Sequence, residues 1–283
     1  MSSHTFPSSQ NKARFFPLLA AAFSLGLLFS LVTLTKKVDA LSGSQFNPGN
    51  IIDDAVFYNK SAMSPTQIQN FLNAKVPVCD TNHARTSNTN DSGPPYICLK
   101  NYKQNTKNVA PDSGLCNGYT GRSNETAAQI IYNVAQSCGI NPQVLLVMLQ
   151  KEQSLVTDTW PWDIQYRKAM GAFCPDTAPC DPTYAGFFYQ VYYGAHRFKV
   201  YEANPDSFNY RFARDNRIYY NPDLARCGSS NVFIQNQATA SLYIYTPYQP
   251  NKAALDNLYG TGDSCSAYGN RNFWRMFNDW FGS

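Results

Sequence analysis

Glutamate is scarce in this chain, and one of its three copies, Glu152, stands where a carboxylate could move a proton. It lies in the run Pro142-Gln143-Val144-Leu145-Leu146-Val147-Met148-Leu149-Gln150-Lys151-Glu152, where Leu145, Met148, Leu149 and, further on, Val156 recur at helical spacing and put Glu152 near the middle of an apolar face. Burial disfavours the charged form of a carboxyl group, and the negative end of the helix dipole pushes the same way. A glutamate so placed suits a general acid that keeps its proton near neutral pH and delivers it to a leaving oxygen. The plain alternative is a structural residue that pairs with an arginine such as Arg167 or reaches out to the rim.

The segment just C-terminal to Glu152 adds to the chemistry. Thr157-Asp158-Thr159-Trp160-Pro161-Trp162-Asp163 brings two tryptophans and two aspartates within eleven residues of it, with Tyr166 next. Flat rings give sugar faces apolar contact and carboxylates accept from hydroxyls, so Trp160, Trp162 and Tyr166 are candidate substrate-binding residues; packing under a loop is the other role open to them. His196 has no serine and aspartate pattern around it and reads as a surface histidine. No Cys-x-x-Cys pair occurs and only His83 and His196 lie downstream of the cysteine-free N-terminal stretch, so neither a metal nor any other cofactor is expected.

The elements that must position these residues announce themselves locally. Met63-Ser64-Pro65-Thr66-Gln67-Ile68 carries an N-cap, a proline at the first helical position and a capping-box glutamine, and predicts a short helix from 65 to about 74. Residues 80 to 122 are rich in Asn, Ser, Thr, Gly and Pro without period and read as an irregular segment held by disulfides. Ala127, Ile130, Ile131, Val134 and Ala135 mark an amphipathic helix ending at Cys138-Gly139, and Asn141-Pro142 opens the next helix at once. Further helices are expected near 184–202, 236–246, 251–258 and 271–281, with a β-hairpin from Arg217–Tyr220 and Asn231–Ile234 closed over by Cys227. Phe273, Trp274, Phe277, Trp280 and Phe281 form one stripe of the last helix and read as core.

Composition sets the class. Of 283 residues 43% are hydrophobic and only 15% charged, which excludes intrinsic disorder. The net charge of +4 is concentrated at the N-terminus; without residues 1–40 there remain 19 basic against 18 acidic residues, and no polybasic footprint for nucleic acid survives. Phe15–Leu34 is uncharged and mostly apolar between Lys12-Arg14 and Lys36-Lys37, an N-terminal hydrophobic helix that serves as a signal peptide or as a single-pass membrane anchor. The bulk of the chain is therefore expected to be extracellular or in the cell envelope. All eight cysteines come after that segment, an even set that implies disulfides; Cys174 with Cys180 is the one pairing that spacing suggests. The expected division is 1–40 for export, 41–122 for the short helix and stapled segment, and 123–283 for the helical domain, which is expected to be a monomer.

The series Cys138-Gly139-Ile140-Asn141-Pro142-Gln143-Val144-Leu145-Leu146, running on to Glu152-Gln153-Ser154, resembles the lysozyme-like superfamily, on the side of the soluble lytic transglycosylases and goose-type lysozymes. The resemblance covers roughly residues 123 to 283 and includes Leu242-Tyr243-Ile244-Tyr245-Thr246-Pro247. It departs from that family's pattern at Gln153, which separates Glu152 from Ser154, and at Ala172-Phe173-Cys174 after the glycine. The resemblance implies a mainly α fold (α+β, lysozyme-like) with a small β-hairpin. It also implies Glu152 as the catalytic acid, Gly171 in a turn of Ala169-Met170-Gly171, and Tyr192-Tyr193-Gly194-Ala195 as an aromatic segment on the substrate. The implied partner is peptidoglycan or another amino-sugar glycan, cleaved by a glycoside hydrolase or lytic transglycosylase. A transglycosylase needs Glu152 alone. An inverting hydrolase needs a second carboxylate about 6.5–9.5 Å away, for which Asp158 and Asp163 are nearest in sequence and Asp176 and Asp181 next. A glycan-binding or adhesin module without turnover, and a disulfide-stapled scaffold, are the readings from other classes.

Overall fold

The helix starts written into the sequence are where helices begin in the computed structural model, which describes residues 41–82, 96–175 and 178–282. After a single turn, α1 (Asp54–Phe57), the helix α2 runs Pro65–Lys75: Ser64 accepts from the amide of Gln67, whose side chain accepts in return from the Ser64 amide at 2.8 Å. Thr126 and Gln129 make the same reciprocal cap at α3 (Ala127–Cys138), and Gly139 at φ 68° ends it in the left-handed conformation. Asn141 then caps α4 (Pro142–Gln153) by accepting from the Gln143 amide. These caps satisfy orphan backbone donors with side chains a few residues away, which is why they are legible in the sequence.

Helix α4 is the centre of the molecule. Val144 through Leu149 are each 0% exposed, so its middle is covered on every side and the helix emerges at Gln143 and in its last turn. This corrects the expectation of a single apolar face: a helix covered all round has no polar face to contrast with. Helix α3 and the C-terminal α10 (Gly269–Phe281) pack on α4, and α6 (Phe187–Ala203) packs on α3. In α10, Phe273, Trp274 and Phe277 are buried, while Trp280 and Phe281 close over Phe71 of α2. Between α4 and α6 lies the short α5 (Asp163–Arg167).

Two small antiparallel sheets complete a mainly α fold. In one, β1 (Lys103–Gln104) pairs with β2 (Glu125–Thr126). In the other, β3 (Arg214–Tyr219) pairs with β4 (Ser229–Ile234) in a register that sets Arg217 opposite Asn231, around the turn of helix α7 (Leu224–Cys227). The hairpin starts earlier than expected because its polar beginning, Arg214-Asp215-Asn216, carries no apolar alternation, although Asn216 is buried with Ile218, Val232 and Ile234. Helices α8 (Gln237–Tyr245) and α9 (Lys252–Asp256) come next, the first of them packing on α6.

The irregular stretch after α2 is held by Cys79–Cys98 and Cys116–Cys138, and the remaining disulfides are Cys174–Cys180 and Cys227–Cys265. The N-terminal hydrophobic helix, His83 and Asp176 lie outside the described residues. Among the described residues no helix is long and apolar enough to cross a membrane.

Candidate functional site

Glu152 sits where α4 comes to the surface, and its partner is its neighbour. Lys151 Nζ lies 2.5 Å from Glu152 Oε1, with side-chain exposures of 8% for the lysine and 23% for the glutamate. Lys151 also donates to Thr246 Oγ1 at 3.0 Å and stands over the ring of Tyr245. A lysine so nearly buried needs a counter-charge, and Glu152 supplies it. The expectation of a carboxylate isolated among apolar side chains is corrected accordingly, and the partner foreseen as its alternative, Arg167, is exposed on α5.

The other oxygen of Glu152 faces a tight turn. Gly171 has φ 68°, and a Cβ there would stand 3.5 Å from Glu152 Oε2. Gln190 of α6, 1% exposed, holds this turn with its whole amide. Its Oε1 accepts from the amides of Met170 (3.2 Å) and Ala172 (3.1 Å), and its Nε2 donates to the carbonyls of Ala172 (2.9 Å) and Tyr184 (2.8 Å). Tyr245 of α8 donates from its hydroxyl to the Met170 carbonyl. Burial first, and then the charge of Glu152, push the Tyr245 phenol well above its ordinary pKa, so it remains a donor. Below the turn, Gly194 of α6 leaves room for Met170, whose Cε lies 2.6 Å from where a Cβ would be.

This turn forms one wall of a 640 Å³ cleft, with Phe173 and Asp181 beside the Cys174–Cys180 loop and Arg197, Tyr201 and Tyr245 across from them. Phe173 is a non-glycine residue at φ 56°, stacked on Tyr184 at 3.8 Å between ring centroids. A larger cleft of 980 Å³ lies between residues 41–48 and 249–259, lined in part by Phe46, Lys252 and Tyr259; none of the candidates from the sequence lines it. The smaller cleft is lined by the charges of Asp181 and Arg197, and its Gly171 wall backs onto Glu152; it is the candidate site.

The residues after Glu152 go elsewhere. Asp158 accepts from the Trp160 amide and from Gln165 Nε2, both at 2.8 Å, and Gln165 also donates to the Gln153 carbonyl at 2.7 Å, so Asp158 ties a loop back to the end of α4. Asp163 is exposed in the first turn of α5. Trp160 meets Tyr96 edge to face at 6.0 Å, and Trp162 is half-buried at the start of α5. Tyr166 is buried, stacked on Tyr102 at 4.2 Å, and donates to the Ile97 carbonyl at 2.5 Å. The lining of the cleft over Gly171 includes none of Trp160, Trp162 and Tyr166. Tyr192 is buried under His196, and Tyr193 is half-buried and touches the cleft wall through Phe173, 6.0 Å away. His196 is half-buried, its Nε2 2.9 Å from Asp112 of the irregular segment, rather than on open surface. Sequence reasoning missed Gln190, Phe173 and Arg197: a glutamine or an arginine on a helix carries no signal until the turn it faces is known.

Among the described residues no group of three or more His, Cys, Asp or Glu side chains could hold a metal ion, so no step through a metal is derived. Residues 50–198, a little more than half of the chain, match the family model described as LasA, N-terminal domain. No curated protein and no solved structure matches the chain. The match replaces the lysozyme-like assignment and corrects the activity that came with it: a LasA-type domain points to a peptidase-type enzyme of peptidoglycan, not to a glycoside hydrolase or lytic transglycosylase.

Proposed function

Because the chain belongs to the LasA N-terminal domain family, we propose that it is a secreted bacterial protein of the cell wall that engages peptidoglycan from its peptide side, with the cleft over Gly171 as its binding site. The observation that carries this reading is the composition of the cleft. Asp181 and Arg197 line it with charges of both signs, and its Gly171 wall is a turn held by Gln190 and Tyr245 and backed by the Lys151–Glu152 pair, which does not itself line the cleft. Peptide stems bear amines and carboxylates along a short backbone, and such a wall offers partners to both. Glycan faces would instead be served by Trp160 and Trp162, which lie outside the cleft lining. In this reading Asp181 accepts from the ligand and Phe173 gives it an apolar floor, while Glu152 supports the Gly171 wall from behind. In the same reading residues 1–40 act in export, residues 41–122 are the stapled segment and residues 123–283 the helical domain, the last two sharing one core.

Incubating the full chain with purified sacculi tests the reading in two ways. The chain is expected to sediment with the sacculi, and Asp181→Asn to weaken that binding about tenfold through loss of a charged acceptor. Any material it releases is expected to carry new amino groups rather than new reducing ends. Unchanged binding by Asp181→Asn excludes the cleft as the binding site, and new reducing ends contradict the peptide-side assignment.

A further inference from the structure

Among the described residues Arg197 is the cation that lines this cleft. It makes no ion pair among the described residues; its guanidinium lies 5.1 Å from the ring of Tyr201 and 5.8 Å from that of Phe173. The nearby charges have contacts of their own, though Asp181 keeps its charge. Lys151 and Glu152 neutralise each other at 2.5 Å, and Asp181, exposed at the rim, accepts from the Thr183 amide at 2.9 Å. The aromatic partners fix the plane of the guanidinium without consuming its donors, since a cation held over a ring leaves its N–H groups free at the edge. Phe173 is kept at φ 56° to take part, and its carbonyl accepts from the Asp181 amide at 3.0 Å, which stiffens that wall. A preoriented fork of donors beside apolar rings is a receptor for a planar anion that carries an apolar group.

We propose that Arg197 binds the carboxylate of a ligand in this cleft and selects for it, with the apolar substituent next to that carboxylate seated on Phe173 and Tyr201. This rests on the reading of the cleft as the peptidoglycan site and adds the chemical class of the group held. Two components of the polymer offer a carboxylate beside a methyl group: the D-alanyl end of a stem peptide and, where the stem has been removed, the lactyl arm of N-acetylmuramic acid.

The full chain is titrated calorimetrically with N-acetyl-D-alanyl-D-alanine, with its C-terminal amide, and with N-acetylmuramic acid. At least one free acid is expected to bind about tenfold more tightly than the neutral amide, and the tighter of the two acids identifies the source. Arg197→Gln is expected to abolish the preference, and Arg197→Lys to restore part of it by keeping the charge while losing the fork. Thermal unfolding of each variant separates loss of the site from loss of the fold. Equal affinity of the wild-type chain for acids and amide, or a preference that survives in a folded Arg197→Gln, overturns the proposal. Sedimentation with sacculi distinguishes the two failures: a chain that still sediments but ignores the carboxylate refutes Arg197 alone, whereas one that does not sediment refutes the underlying reading.

Discussion

Gln190 is the residue on which the shape of the site depends most. Its side chain supplies partners to three backbone groups of the turn around Gly171 and to the carbonyl of Tyr184. Gln190→Leu keeps the volume and strands those groups in a buried place, so a loss of about 3 kcal/mol in urea-monitored stability is expected. Gln190→Glu should also destabilise, because a carboxylate cannot donate to the carbonyls of Ala172 and Tyr184. Residue by residue, the site is half legible in the sequence. The spacing of Leu145, Met148 and Leu149 locates Glu152 relative to its own helix, but not the lysine that folds back on it. A helical wheel gives direction about one axis and says nothing of the helices that cover it, which is why a helix enclosed from Val144 to Leu149 looks one-faced from its sequence.

Among the elements, those fixed by local chemistry are readable. The caps at Ser64 and Asn141 and the stop at Gly139 each act over a few residues, and the boundaries they give hold. The hairpin reads short because its first strand begins on polar residues, and the loop after α4 reads as a sugar platform although Gln165 and Asp158 fold it onto the helix end. The disulfides obey no local rule beyond Cys174 with Cys180. Cys116–Cys138 joins the irregular segment to the last residue of α3, and closes a loop of separation 22. Replacing both cysteines by serine is expected to cost about 3 kcal/mol, measured as a lowered urea midpoint, with most of it arising from the freer unfolded chain. A change of that size without loss of helical circular dichroism would place the staple's role in stability rather than in forming α3.

Over the whole molecule, burial of tyrosines predicts how the fold responds to base. Tyr166, Tyr243 and Tyr245 are all pushed above the ordinary 10.0, mainly by burial, and Tyr58, Tyr102 and Tyr119 move the same way. Each native phenol keeps its proton where an unfolded one would lose it. Their contribution is complete below about pH 10 and declines as pH rises beyond it, because the unfolded chain then binds fewer protons. Tyrosinate absorbance should accordingly lag behind that of free tyrosine until the chain unfolds, and a titration with all tyrosines ionising together near pH 10 while the fold persists would contradict this. The 640 Å³ and 980 Å³ clefts open on the same enclosed core, and the proposed function depends on which of them meets the cell wall. Hydrogen exchange of the full chain with and without soluble peptidoglycan fragments decides it. Slowed exchange at Gly171 to Cys174 and at Ile244 and Tyr245 is the expected result, whereas protection confined to residues 41–48 and 249–259, or no protection anywhere, contradicts the assignment of the cleft over Gly171.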